Sequence, residues 1–296
     1  MWKIYTLILM LLIIYNSSAY VVVTIPDVKS LVEKVCECEV YSLSLTDPHT
    51  YALTRKDLDV LSKAELIVLV NSEILDFERK IKEKFGNVVD FKDYEVELED
   101  HADYISNPHA YWMKPKNALA IVKAVKDKLS EIHPEKAKKY EENYLAIEKI
   151  LNLAEEASIK LAGIEGKKFV ALDSHVCYII TSLKGEVSLV LFEEAVGVAS
   201  VKLEELKKEQ IDNIVAPVFA KDLAEKIAEK LNVEIIYVEV VTEEDFIVKM
   251  LKNAANFRKS EERSESKGAD EKMIVYILSF LCLVEAFVIA YLALKR

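Results

Sequence analysis

The chain has 296 residues, 52% of them hydrophobic, and a formal net charge of −11. That is enough apolar material for one large core or two ordinary ones, which excludes a disordered chain. The acidity, with no basic stripe, speaks against a nucleic-acid partner. The six glycines form no dinucleotide-binding or P-loop pattern, so those phosphate cradles are excluded too.

Residues 1–19 carry Lys3, an apolar run over 4–15 and small residues before Tyr20. That run is short for a bilayer span, and the pattern predicts a signal peptide. From residue 21 onward, short β-branched runs alternate with helical periodicity. Strands are expected at 21–25, 39–44, 66–70 and 88–91, with helices at 28–35, 56–64 and 73–84 between them. Apolar runs of this kind suit parallel strands buried on both faces, so 20–133 is expected to form a three-layer α/β lobe.

The helical pattern lengthens over 116–132 and again from Pro134, which suits the first turn of a helix. Gly163 supplies a stop, so 134–163 reads as one long, stiff linking helix. The βα alternation then restarts over 164–256. Strands are expected at 168–172, 187–192, 211–217 and 233–238, and helices at 176–183, 201–208, 220–231 and 243–256. This is a second lobe similar to the first. The fold class is therefore α/β, with two lobes joined by a rigid helix.

Ten of the sixteen residues of 257–272 are charged, which predicts a flexible tether. Residues 273–294 are then a predominantly apolar run of 22 residues, close to the length a bilayer core requires, and Lys295 and Arg296 follow directly. Basic residues at that end place it in the cytoplasm and the body of the protein outside. A single-pass protein of the cell membrane is expected, with Glu285 tolerated inside its span. Of the four cysteines, Cys282 lies in that span. Cys36 and Cys38 are too close to constrain much, and Cys177 reads as a small buried residue. No disulfide framework is expected.

Two of the five histidines share one setting. Asp47-Pro48-His49-Thr50-Tyr51 and Asn107-Pro108-His109-Ala110-Tyr111 both read [DN]-P-H-x-Y, each in a loop that leads to a helix. A proline before the histidine and a short polar residue before the proline favour a defined turn, and an imidazole held there is placed for metal ligation. The acidic stretch 95–103, with His101 in it, could attract cations by local potential or stand as a solvated charged loop. His133 has no assigned role.

These two loops, the run Trp112-x-x-Pro115-Lys116-Asn117-Ala118 and the long linking helix resemble the zinc/manganese-binding solute-binding proteins of ABC importers, the cluster A-I metal receptors. The resemblance spans about residues 21–256. It implies two α/β lobes on a rigid helix, one divalent metal held between them as cargo, an importer permease as partner, and no catalysis. Residue by residue, it maps His49 and His109 to the first-lobe ligands and His175, in Asp173-Ser174-His175, to a second-lobe ligand. Glu239 falls where the family usually carries an aspartate followed by proline, and this chain departs from both features. Three imidazoles and a carboxylate suit Zn²⁺, with Mn²⁺ the alternative cargo. Two other classes stay open at this stage: a zinc hydrolase with Glu239 as general base, and a surface adhesion protein.

Overall fold

The computed structural model describes residues 20–43, 48–102, 104–192, 213–231 and 233–262. By its contacts the chain forms two compact units. The first holds the described residues up to Glu97, with Pro115–Ile150 and Val241–Phe246. The second holds the described residues of Leu98–Lys114, of Leu151–Val240 and from Ile247 to Glu262.

In the first unit, β1 (Tyr20–Val23), β2 (Glu39–Ser42), β3 (Leu66–Val68) and β4 (Val88–Val89) form a parallel sheet in the order β2-β1-β3-β4. Val22 pairs with Tyr41 on one side and Ile67 on the other. Val21, Val22 and Val23 and all of β3 are at most 1% exposed, as strands covered on both faces should be. Helix α1 (Lys29–Cys36) buries Leu31, Val32, Val35 and Cys36. α2 (Arg55–Leu61) starts on a capping box in which the Thr54 hydroxyl accepts the Asp57 N–H. α3 (Asp76–Lys84) buries Phe77, Glu78 and Ile81. The expected strand 88–91 is cut to two residues because Asp90 turns inward and caps a 3₁₀ turn at Phe91–Asp93. α4 (Pro115–Ile132) buries Ala118, Ile121, Val122, Val125 and Leu129, the 3–4 spacing read from the sequence.

α5 (Ala137–Ala162) is the expected long helix. It follows a 3₁₀ turn at Pro134–Lys136 and ends at Gly163, whose φ of +64° is a left-handed helix stop.

The second unit repeats the topology of the first. β5 (Lys168–Asp173), β6 (Glu186–Phe192), β7 (Asn213–Pro217) and β8 (Glu234–Val238) are parallel in the order β6-β5-β7-β8. α6 (Cys177–Ser182) follows β5, and α7 (Lys221–Leu231) packs Ala224 and Ile227 onto a core of Val170, Leu172, Ile214 and Ala216. In both sheets the chain leaves the first strand for one edge and returns to its other side. Crevices at the carboxyl ends of such strands are where open α/β sheets bind ligands.

α8 (Phe246–Glu262) begins three residues later than expected and runs six residues into the segment read as a tether. Its buried positions Phe246, Met250, Ala254 and Phe257 recur at helical spacing. Phe257 is fully buried, with its ring 5.4 Å from that of Phe169, and this apolar anchor outweighs the charged composition around it. The rest of the tether, the signal peptide 1–19, the span 273–294 with Glu285, and the expected helix 201–208 lie outside the described residues. Among the described residues no helix is long and apolar enough to cross a membrane.

Cys36 and Cys38 are joined by a disulfide at the end of α1, with Glu37 between them in a left-handed conformation. The bond closes a three-residue loop, a local clip and not a framework. Cys177 is free and buried, and burial pushes its thiol pKa up.

One buried acid organises the first unit. Both carboxylate oxygens of Asp27, which follows β1, accept N–H bonds at 3.0 Å, from Val241 and Thr242. Val241 is β-branched and has a φ of +58°, a conformation that needs such support. Asp27→Ala is therefore expected to lower the free energy of unfolding by about 3 kcal/mol, measured as a shift of the urea midpoint. An unchanged midpoint overturns this role.

Candidate metal centre

His109 is set by the turn before it. The Asn107 side-chain oxygen accepts the His109 N–H at 2.9 Å, the local closure that short polar residues favour. Ala110 then takes a left-handed φ of +49° into the buried 3₁₀ turn Tyr111–Met113. His175 follows β5. There the Asp173 carboxylate caps a 3₁₀ turn by accepting the His175 N–H at 3.0 Å.

Both histidines belong to the second unit, and the fold brings them together. Their ring centroids are 5.2 Å apart, each offers a ring nitrogen within 4.8 Å of one on the other, and they are 5% and 7% exposed. Two imidazoles side by side in a buried site repel one another once protonated, so the arrangement suits neutral rings facing a shared cation. Asp173, fully buried, holds a carboxylate oxygen 3.6 Å from His175 Nδ1. The ring of Phe219 stands edge-on to His175 at 6.0 Å and is 54% exposed.

His49 lies in the first unit, half-buried in the turn that leads to α2. Nearby, the Tyr51 hydroxyl donates to Asp57 at 2.8 Å, and burial together with that carboxylate pushes the Tyr51 pKa up to about 12. Glu239 directly follows β8, where Asn253 clamps its backbone with two hydrogen bonds of 2.8 and 3.0 Å. Among the described residues, no Asp, Glu or Cys offers a ligand atom within 4.8 Å of both imidazoles.

The acidic stretch is largely neutralised. Glu95 pairs with Lys123 at 2.8 Å, Glu97 with Lys116 at 2.7 Å, and Glu99 with Lys114. This favours the charged-loop alternative over cation collection. Within it His101 is buried, its Nε2 has no hydrogen-bond partner, and burial pushes its pKa down. His133 pairs with Glu65 and Glu135.

Of the residues that matter at this site, the sequence assigns Asn107 only a turn and gives Asp173 and Tyr178 no role. Asn107 and Asp173 sit inside the quoted motifs, so local turn chemistry could have found them. Tyr178, fully buried on α6, carries no such signal.

Residues 21–260 match the family model described as "Zinc-uptake complex component A periplasmic" (ZnuA). The chain belongs to the ZnuA family. Members of this family are extracytoplasmic receptors for metal ions and not enzymes, so the hydrolase alternative is dropped. Among curated proteins none matches. A zinc-bound ZnuA deletion mutant superposes with a TM-score of 0.70 at 17% identity, over 82% of this chain and 98% of that one. A periplasmic metal-binding protein from Candidatus Liberibacter asiaticus gives 0.68 at 17%, over 82% and 99%. The solute-binding protein FpvC from Pseudomonas aeruginosa, in complex with Mn²⁺, gives 0.69 at 16%, over 84% and 100%. At these identities the likeness is one of fold.

Proposed function

We propose that this chain captures a divalent metal outside the membrane and delivers it to the permease of an ABC importer. The metal is Zn²⁺ in preference to Mn²⁺, because three imidazoles and one carboxylate form a borderline-soft set suited to four-coordinate zinc. The ligands are His49, His109, His175 and Glu239. The lobes of the receptor are 20–133 and 164–256 on the linking helix 134–163. A signal peptide at 1–19 directs export. The span 273–294 then anchors the body to the outer face of the membrane through the charged segment before it.

The observation that carries this reading is the buried His109–His175 pair at the carboxyl end of β5 in a chain of the ZnuA family. Cadmium and manganese forms among the structural neighbours show that this fold accommodates several divalent ions in those proteins.

The test is elemental analysis of the full-length chain, followed by competition between the two metals. One equivalent of bound zinc, held against excess Mn²⁺, is the expected result. A chain that takes up neither metal overturns the proposal, and a preference for Mn²⁺ overturns the assignment of zinc.

A further inference from the structure

We propose that Asn107 is a positioning residue that sets the spacing of the His109–His175 pair, and with it the affinity for metal. This rests on the metal-receptor reading above and adds to it a device that no ligand assignment contains.

Asn107 is fully buried, and each of its polar groups is engaged. Its backbone N–H donates to the Glu99 carbonyl at 2.9 Å. Its own carbonyl accepts the Tyr178 hydroxyl at 2.7 Å. Its side-chain oxygen accepts the His109 N–H at 2.9 Å, and its side-chain nitrogen donates to the Ser174 carbonyl at 2.8 Å. Ser174 directly precedes His175. One amide group therefore grips the peptide of one candidate ligand with its oxygen and the residue before the other with its nitrogen.

Tyr178 braces this crossbar from behind. Its hydroxyl donates to Asn107 and accepts the Glu99 N–H at 3.0 Å. The Thr181 hydroxyl donates to the Glu99 carboxylate at 2.7 Å. The loop holding His109 is thus fastened to the helix that follows His175 at three points, all within the second unit. Side chains held at their working separation before a ligand arrives lose little freedom on binding, and affinity gains accordingly.

The chemistry at this position demands asparagine. The equivalent place in the first Pro-His motif is Asp47. An aspartate reproduces the acceptor for the following histidine N–H but has no donor for a carbonyl. At residue 107 it would set a carboxylate oxygen against the buried Ser174 carbonyl.

The experiment compares the full-length chain with Asn107→Asp, Asn107→Ser and Tyr178→Phe. It reads zinc affinity against a chromophoric chelator, the visible spectrum of bound Co²⁺, and the melting transition without metal. Serine keeps an acceptor for His109 but cannot reach Ser174. Asn107→Asp and Asn107→Ser are each expected to lose roughly 10- to 100-fold in zinc affinity, the range found for groups behind metal ligands. The cobalt bands should shift while the metal-free chain remains folded. Tyr178→Phe is expected to change both in the same direction by less. A folded Asn107 variant with parental affinity and parental cobalt bands overturns the inference. If neither Asn107 variant folds, Tyr178→Phe decides, and parental behaviour there overturns it. Failure of the parent chain to bind zinc would instead sink the receptor reading, so the two failures are distinguishable.

Discussion

Chains carrying His109→Ala or His175→Ala are expected to lose zinc affinity by roughly 100- to 1000-fold while melting, without metal, near the parental temperature. The size follows from dividing zinc-site free energies of about 10–16 kcal/mol over four ligands, which gives roughly 3 kcal/mol each. The near-constant melting follows from what each ring does in the fold. The turns are built by backbone N–H bonds to Asn107 and Asp173, and alanine keeps those bonds. The two ring centroids lie 5.2 Å apart, so truncating one removes a contact between candidate ligands and leaves the turn bonds in place. Zinc should raise the parental melting temperature, since about 2.7 kcal/mol is added at a metal concentration 100 times Kd. Neither variant should show that rise. An unchanged zinc-dependent shift in both variants removes the pair from the site and the proposed function with it. Glu239→Ala tests the remaining assignment separately: parental affinity there would strike the carboxylate from the ligand set.

Much of this fold can be read along the chain because its strands are parallel and covered on both faces. Leu66–Val68 and Val170–Leu172 are apolar without interruption, and nothing in them competes with the strand assignment. α4 and α5 are equally legible, since their buried residues keep 3–4 spacing and Pro134 and Gly163 mark a start and a stop. The Pro-His motifs were legible for a related reason, as they are local turn chemistry. Residues whose setting depends on distant partners were not. Glu78 stands in Phe77-Glu78-Arg79-Lys80, which reads as a solvated helix face, yet it is fully buried. Lys249 is likewise fully buried, a lone lysine in the apolar run Phe246-Ile247-Val248-Lys249-Met250-Leu251 of α8 that reads as an exposed position. The stretch Leu98–Lys114 follows the first sheet in sequence but packs with the second, so the company His109 keeps could not be read from its neighbours. Glu239 was placed by a family's usual position alone, and strand ends do not reveal where a side chain points.

The buried Glu78 yields the second large effect: the protein should lose stability as pH rises from about 5 to 7, and Glu78→Gln should remove that slope. Glu78 lies on α3 beneath the carboxyl ends of β1 and β3. Its carboxyl accepts the Val70 and Asn71 N–H groups at 3.0 and 2.7 Å and contacts the Thr24 hydroxyl. Burial pushes its pKa up from 4.5 to about 7, against the pull of those hydrogen bonds and with a further push from Asp90. At Asp90 the balance runs the other way. Burial opposes ionisation, but bonds from Lys82 at 2.7 Å and from Ser72 hold its pKa below the usual value. A hydrogen count favours the neutral form of Glu78. The Thr24 hydroxyl also lies 3.1 Å from the Val68 carbonyl, and its one hydrogen cannot serve both acceptors. A protonated Glu78 donates to Thr24, which frees Thr24 to donate to Val68. The folded chain therefore keeps a proton that the unfolded chain releases above about 4.5, and the stability from this group is full below that pH and lost as pH climbs through about 7. The total is roughly 3 kcal/mol. Urea unfolding at a series of pH values from 5 to 8 measures it as the difference between the parent and Glu78→Gln. Glutamine cannot accept from both Val70 and Asn71, so a constant offset is expected, and the readout is the slope. Parallel curves for the two chains would show that Glu78 ionises as freely in the fold as outside it.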